Sequence, residues 1–256
     1  METKAKKKLF IILLLFVVVS AIIGTGLIIN RASDINKARE QQNAINKATV
    51  ETVAPSDFLS TKDYDGTEAS FEPSYIVDFE NLKSKNNDVV AWIKIEDTEI
   101  EYPVVQSNDN DYYLNRDIDR NENQAGWIFA DWANNMETLD TNTVLYGHNM
   151  RDGSMFAGIN HLLSNINNEN CQNHKVTFVT QNHYYEGYIF SIYEVDPDED
   201  YRTANPDDIT AFTRKIHEAS WSSLELPEFD RILTLSTCAN VGDNRTACHI
   251  ALKEMS

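Results

Sequence analysis

Residues Leu9 to Ile29 form an uncharged run of 21 residues, interrupted only by Ser20, Gly24, Thr25 and Gly26. In hydrocarbon every backbone polar group must be satisfied within the segment. A run of this kind therefore has one stable form there, a helix, and at about 1.5 Å per residue it spans roughly 30 Å. The run predicts a single membrane-crossing helix. Lys4, Lys6, Lys7 and Lys8 precede it, while Arg31 on the far side is soon offset by Asp34. The positive-inside bias thus puts the N-terminus in the cytoplasm and everything after Asn30 outside. A cleaved signal peptide is the competing reading, but its apolar region runs only about 7 to 15 residues before a small-x-small site. No such site follows Ile29.

Beyond residue 30 the chain carries 18 basic and 39 acidic residues, a net charge of −21. So acidic a surface is soluble and self-repelling and is unsuited to gripping nucleic acid, which needs a basic face. From Arg31 to about Val50 the sequence is polar and helix-prone, with Ile35, Ala38, Gln42, Ile45 and Ala48 as a thin apolar stripe, which predicts a short helical stalk. Glu51 to Ser74, with Pro55, Gly66 and Pro73, reads as a linker or N-terminal wrap. The expected organisation is a tail and anchor over 1–30, a stalk and linker over 31–74, and a globular domain over 75–256. No internal repeat or low-complexity tract is present, and 3 Cys cannot make a disulfide framework.

Within the globular part, Asp78 to Asn86 carries helical apolar spacing at Phe79 and Leu82, and Val89 to Ile95 predicts a strand around Trp92. Further short strand-like runs are Glu99–Val105, Gly126–Phe129, Thr143–Tyr146, Lys175–Thr180, His183–Glu194, Arg231–Thr237 and Thr246–Leu252. Short β-rich segments between Asn/Asp/Gly turns point to a barrel or sandwich rather than a parallel α/β sheet. One stretch breaks the rhythm. Asn205-Pro206-Asp207-Asp208 supplies a cap, a first-turn Pro and acidic residues, and Ile209, Phe212, Ile216 and Ala219 follow at helical spacing. A surface helix over about 206–223 is expected.

Alternation in Arg231–Cys238 places Ile232, Thr234, Ser236 and Cys238 on one side of a strand, and a new strand begins at Arg245 after a six-residue connection. This hairpin brings Cys238 close to Arg245. A guanidinium beside a thiol favours thiolate and can later stabilise an oxyanion, the two jobs a cysteine acyl-transfer enzyme needs done. The bland alternative is a structural Cys beside a surface Arg. A second piece, Thr141 to Ala157, ends an apolar strand at Tyr146-Gly147-His148 and delivers His148 into a loop. Of the other histidines, His161 and His217 fall in expected helices and His174 and His183 in polar turns. His249 shares a parity with Arg245 and is the rival to His148. No His or Cys pair has C-x-x-C or H-x-x-x-H spacing, so no metal is expected.

These residues carry a family resemblance. Thr234-Leu235-Ser236-Thr237-Cys238 resembles the TLxTC signature of sortases, Arg245 falls where the family Arg lies, and Tyr146-Gly147-His148-Asn149-Met150 is similar to the class B form YGHxM. Asp88 to Ile95, Tyr102 to Gln106, Asn110 to Leu114 and Gly126 to Asp131 also match, so the resemblance runs from about Tyr75 to Leu252. It implies an eight-stranded β-barrel with peripheral helices, including an extra helix before the cysteine strand. It also implies a transpeptidase of the Gram-positive cell surface that needs no cofactor. On the same basis Cys238 is the nucleophile, His148 the proton donor and acceptor, and Arg245 the oxyanion or substrate-carbonyl stabiliser, while Asn110, Leu114, Tyr201 and Ser236 match groove residues of class B relatives. The implied partners are surface proteins with a C-terminal motif of the NPxTx kind, cut after Thr, and a peptidoglycan amine. A pilin-polymerising sortase using a Lys amine, a cysteine hydrolase and a catalytically dead tethered scaffold are the alternatives.

Of the remaining thiols, Cys248 is expected at an apolar barrel position and Cys171 in an Asn-rich loop with no particular role, a disulfide between them being permitted but not required. Asp196, Asp198, Glu199 and Asp200 read as a solvated loop rather than a calcium site.

Overall fold

In a computed structural model the described residues are 2–53, 71–166 and 171–255. Pro55 and Gly66 of the expected linker lie outside them. One unbroken helix, α1 (Glu2–Thr49), carries the apolar run and continues straight through the expected stalk. It is long and apolar enough to cross a membrane. The valine and isoleucine content that would favour a strand in water is overridden by length, since a helix satisfies its own backbone.

The stalk stripe does not stand away from the domain. Ala38 and Ile45 are buried in the core, Gln42 and Thr49 are buried beside them, and Ile35 packs against them. Gln42 donates through Nε2 to the carbonyls of Glu99 (3.2 Å) and Glu101 (3.0 Å), and Asn46 donates to Glu101 O at 2.8 Å. Lys37 Nζ reaches the wholly buried Asp117 carboxylate at 2.6 Å. The helix thus covers apolar barrel surface while its amides satisfy strand-edge carbonyls that would otherwise be desolvated without partners.

After α1, β1 (Val50–Thr52) pairs antiparallel with β2 (Tyr75–Val77). Helix α2 (Phe79–Lys85) follows, capped by the Asp78 side chain accepting from Asn81 N. The barrel strands are β3 (Val89–Ile95), β4 (Glu101–Val105), β5 (Phe129–Ala130) and β6 (Asn142–Tyr146). Helix α3 (Ala157–Ser164) leads into β7 (Lys175–Thr180) and β8 (Tyr184–Val195), and α4 (Ile209–Glu218) precedes β9 (Arg231–Cys238) and β10 (Arg245–Glu254). The eight strands close in the order β10-β8-β7-β3-β4-β5-β6-β9. The β4–β5 and β6–β9 pairs are parallel and the others antiparallel, so the eight-stranded barrel expected from the resemblance is a mixed one.

Two local expectations change. Helix α4 is shorter than 206–223, and its cap is Asp208, whose carboxylate accepts from Ala211 N at 2.9 Å. Asn205 instead accepts from Thr141 N and donates to Asp140, tying the loop to the start of β6. Alternation sets Ile232, Thr234, Ser236 and Cys238 on one side of β9, and residues 232–237 are buried on both faces. On one side of β9, Ile232 packs in a cluster with Phe212 and Ile216 of α4 and Phe190 of β8.

Candidate active site

The parallel pairing of β6 and β9 builds the site. Parallel strands emit their C-terminal ends at the same end of a sheet, about 4.8 Å apart. The last pair in this ladder is Tyr146 with Ser236. His148 and Cys238 each lie two residues further on, so both emerge at one barrel mouth. Antiparallel β10 then returns with Arg245 paired to Cys238. Gly147 serves close packing here, because a Cβ at this position would stand 2.4 Å from Ile128 Cδ1 and 2.8 Å from Phe156.

Cys238, His148 and Arg245 line a single cavity of about 290 Å³, with Asn110, Leu114 and Ser236 on its walls. Cys238 is exposed and His148 half-buried. His148 Nε2 lies 2.7 Å from the Leu114 carbonyl. A carbonyl oxygen only accepts, so Nε2 carries the hydrogen and Nδ1 is left to exchange protons. Arg245 Nη1 donates to the carbonyls of Asp243 (3.0 Å) and Asn244 (3.4 Å), leaving its other donors for a ligand.

The cavity's far wall is held by Asp131. Its Oδ2 accepts from Asn110 Nδ2 at 3.1 Å and from the Tyr146 hydroxyl at 2.7 Å, while Asn110 Oδ1 accepts from Trp132 N. Burial, then the Asp131 carboxylate, push the Tyr146 phenol up, so it remains a hydrogen-bond donor. Gly126, at φ +62°, lets its backbone pass where a Cβ would meet the Leu114 and Tyr113 carbonyls at 2.6 and 2.7 Å. That close approach sets the turn on which the histidine rests.

Not every expected residue falls in this cavity. Tyr201 is only 1% exposed, with its hydroxyl 2.9 Å from Ser236 Oγ behind the wall, and its neighbour Arg202 lines the cavity instead. His249 is no rival to His148. It is wholly buried, its Nδ1 2.8 Å from Thr234 Oγ1 and its Nε2 3.3 Å from the Tyr193 hydroxyl. Thr234 spends its hydrogen on Asn142 Oδ1 at 2.6 Å, so His249 Nδ1 must be the donor to Thr234. Burial lowers its pKa to about 3 and keeps the ring neutral. Cys248 is buried, its thiol pushed up by burial and by Cys171; Cys171 is a core residue too rather than a loop residue without a role.

Sequence reasoning missed Arg202, Asp131 and the Leu114 carbonyl as parts of the site. It also missed Asn160 of α3, which is 3% exposed, donates to the Cys238 carbonyl at 3.0 Å and accepts from Thr246 Oγ1 at 2.6 Å. Asn149 Nδ2 donates to Asn240 Oδ1 at 3.0 Å, joining the histidine loop to the cysteine loop. Among the described residues no three His, Cys, Asp or Glu side chains are grouped as metal ligands. In the acidic loop, Asp196 accepts from Asp198 N and Glu199 pairs with Lys215 at 3.5 Å.

The sequence model of the Sortase domain matches residues 93–251. The chain belongs to the sortase family. It is 40% identical over 168 residues to sortase B of Listeria monocytogenes, a match covering 62% of this chain and 65% of that relative, just under two thirds of its length. It is 35% identical over 174 residues to sortase B of Staphylococcus aureus, covering 66% of this chain and 70% of the relative. The structure of a Staphylococcus aureus sortase B–substrate complex superposes with a TM-score of 0.64 at 29% identity, over 70% of this chain and 86% of the other. This sortase therefore groups with the class B members.

Proposed function

We propose that this sortase is a membrane-anchored cysteine transpeptidase. It cleaves a C-terminal sorting motif of the NPxTx kind after Thr and joins the released acyl group to a peptidoglycan amine. The observation that carries the reading is the meeting of Cys238, His148 and Arg245 around one cavity, with the sulfur exposed at its mouth. Class B relatives, one of them solved as a substrate complex, support it.

In this reading the Cys238 thiolate attacks the Thr carbonyl carbon. Arg245 sits one strand-pair away and supplies N–H donors to the oxygen as it gains charge. His148, oriented by the Leu114 carbonyl, protonates the departing amine, and a thioester remains. An incoming amine then displaces the sulfur, returning its proton by way of His148. Asn110, Leu114 and Ser236 form the donor-side walls with Arg202, whereas Tyr201 acts behind them by holding Ser236. Residues 1–30 serve as cytoplasmic tail and single-pass anchor, 31–74 as the extracellular connection and 75–256 as the extracellular catalytic domain. The apolar half of α1 supports that topology.

The test is turnover of an internally quenched NPxTx-type peptide by the full-length chain in detergent, alongside Cys238→Ala. Loss of all cleavage in the variant is expected, and equal turnover by both refutes a cysteine mechanism.

A further inference from the structure

The β6–β9 ladder stops one rung short of the nucleophile. Its final pair is Tyr146 with Ser236, and Gly147 N donates to Ser236 O at 3.3 Å. Beyond Gly147 the chain turns off into the His148 loop, which the bridge between Asn149 and Met155 closes. Successive carbonyls of a strand face opposite edges, so Cys238 O points to the same edge as Ser236 O, past the end of β6. That carbonyl needs another donor. Asn160 of α3 supplies it, with Nδ2 at 3.0 Å from Cys238 O.

The amide cannot turn round. Thr246, wholly buried, donates through Oγ1 to Asn160 Oδ1 at 2.6 Å, and because a carbonyl oxygen only accepts, each end of the amide has one fitting partner. Thr246 directly follows Arg245 on β10, and Arg245 is paired with Cys238. One buried side chain thus ties together the two strand ends that carry the sulfur and the guanidinium. The same helix is fastened to the histidine as well. Phe156, the residue before its first turn, donates through its backbone N to His148 O at 2.9 Å. From there to Asn160 is about one helical turn, roughly 6 Å. Helix α3 therefore brackets the backbones of His148, Cys238 and the Arg245 strand from the side away from the cavity that the three share, which Asn160 does not line.

We propose that Asn160 is the positioning residue of the nucleophile: it stands in for the missing rung of the β6–β9 ladder and fixes the backbone from which the Cys238 sulfur meets a donor carbonyl, in register with His148 and Arg245. The proposal rests on the transpeptidase reading above. Cys238 is the last residue of β9, and the six residues that follow it form a largely exposed loop. Without the amide, the carbonyl of the nucleophile is held from the β10 side alone, and the sulfur shifts with it. Asn160 touches neither donor nor reacting atoms and works through the Cys238 carbonyl.

The test measures kcat and KM separately for a quenched NPxTx-type peptide, with the full-length chain in detergent and the folded fraction counted by circular dichroism. Asn160→Leu keeps the volume but neither donates nor accepts. Its kcat per folded molecule is expected to fall roughly tenfold to a hundredfold, the scale of reacting groups displaced by about 1 Å. KM should stay within about twofold, because the donor walls are untouched. Thr246→Val leaves the bond to Cys238 O in place but frees the amide from the partner that orients it. Here kcat is expected to fall about threefold to tenfold, the scale of one net hydrogen bond, again with KM unchanged. A kcat for Asn160→Leu within about twofold of the parent, even with a lowered melting temperature, makes Asn160 a structural residue and overturns the proposal. So does a loss carried by KM, which places the effect in donor binding. Should Asn160→Leu fail to fold, Thr246→Val decides, and a kcat within about 1.5-fold of the parent overturns the proposal. Each of these outcomes leaves the transpeptidase standing, whereas a parent chain that cleaves no donor overturns the reading and this proposal together.

Discussion

His249 makes the stability of this barrel depend on acid in a calculable way. The ring is fully buried between β9 and Tyr193, donates to Thr234 and accepts from Tyr193, with its pKa lowered from 6.5 to about 3 by burial. Because the folded value lies below the unfolded one, the unfolded chain binds the extra proton between those pH values. Stability from this group is therefore complete above about pH 6.5 and is lost as pH falls toward 3. At about 1.36 kcal/mol per unit, the loss reaches on the order of 5 kcal/mol by pH 3, a large share of a typical domain's stability. Carboxylates titrate in the same range, so the measurement is a difference. Urea unfolding followed by tryptophan fluorescence is run on the parent and on His249→Gln from pH 7 to 4. The variant should be less stable at pH 7, and the gap should close by about 1 kcal/mol per unit below pH 6. Parallel pH profiles, or an imidazole that titrates near 6.5 in the folded protein, would refute the argument.

Three further outcomes follow from the geometry. Gly126→Ala places a Cβ against the Leu114 and Tyr113 carbonyls at a positive φ, and should cost about 2 kcal/mol and lower kcat by displacing the acceptor of His148 Nε2; unchanged melting and turnover would contradict this. Under native conditions iodoacetamide should alkylate Cys238 alone, the other two thiols reacting only after denaturation, as intact-mass analysis will report. Asp117→Ala strips the acceptor from Lys37, Gln41 and two backbone amides, and should destabilise by roughly 2–4 kcal/mol while exposing Lys37 and Arg39 to trypsin. A loss under about 0.5 kcal/mol would mean that α1 is not clamped there.

Cys238, Arg245 and His148 were legible as residues at or just beyond strand ends from alternation and turn spacing, and their roles from the family resemblance. The parallel β6–β9 ladder that brings two of them together was not, since register between distant segments leaves no local mark. Tyr201 and Arg202 show a finer limit. In the irregular stretch between β8 and α4 no period says which neighbour faces inward, and the arginine rather than the tyrosine reaches the cavity. The Leu114 carbonyl was invisible in principle, for a backbone atom has no residue signature. Gln42 and Ala48 were read as one stripe of a free stalk, although an amide at the buried edge of such a stripe signals strand carbonyls waiting opposite, the role Gln42 fills.

In the membrane-anchored reading proposed above, the unbroken passage of α1 from lipid-compatible sequence onto the domain governs where catalysis can happen. Asp34 already accepts from the Asn123 amide, so only about 7 Å of helix separates the apolar run from the first barrel contact. The head rides on a short strut instead of a leash. With α1 seated in a bilayer, the mouth holding Cys238 keeps one height above the headgroups and moves only as the strut tilts or spins. Donor and acceptor must then meet in a thin layer against the membrane, and lengthening the strut would strand the catalyst above its own supply.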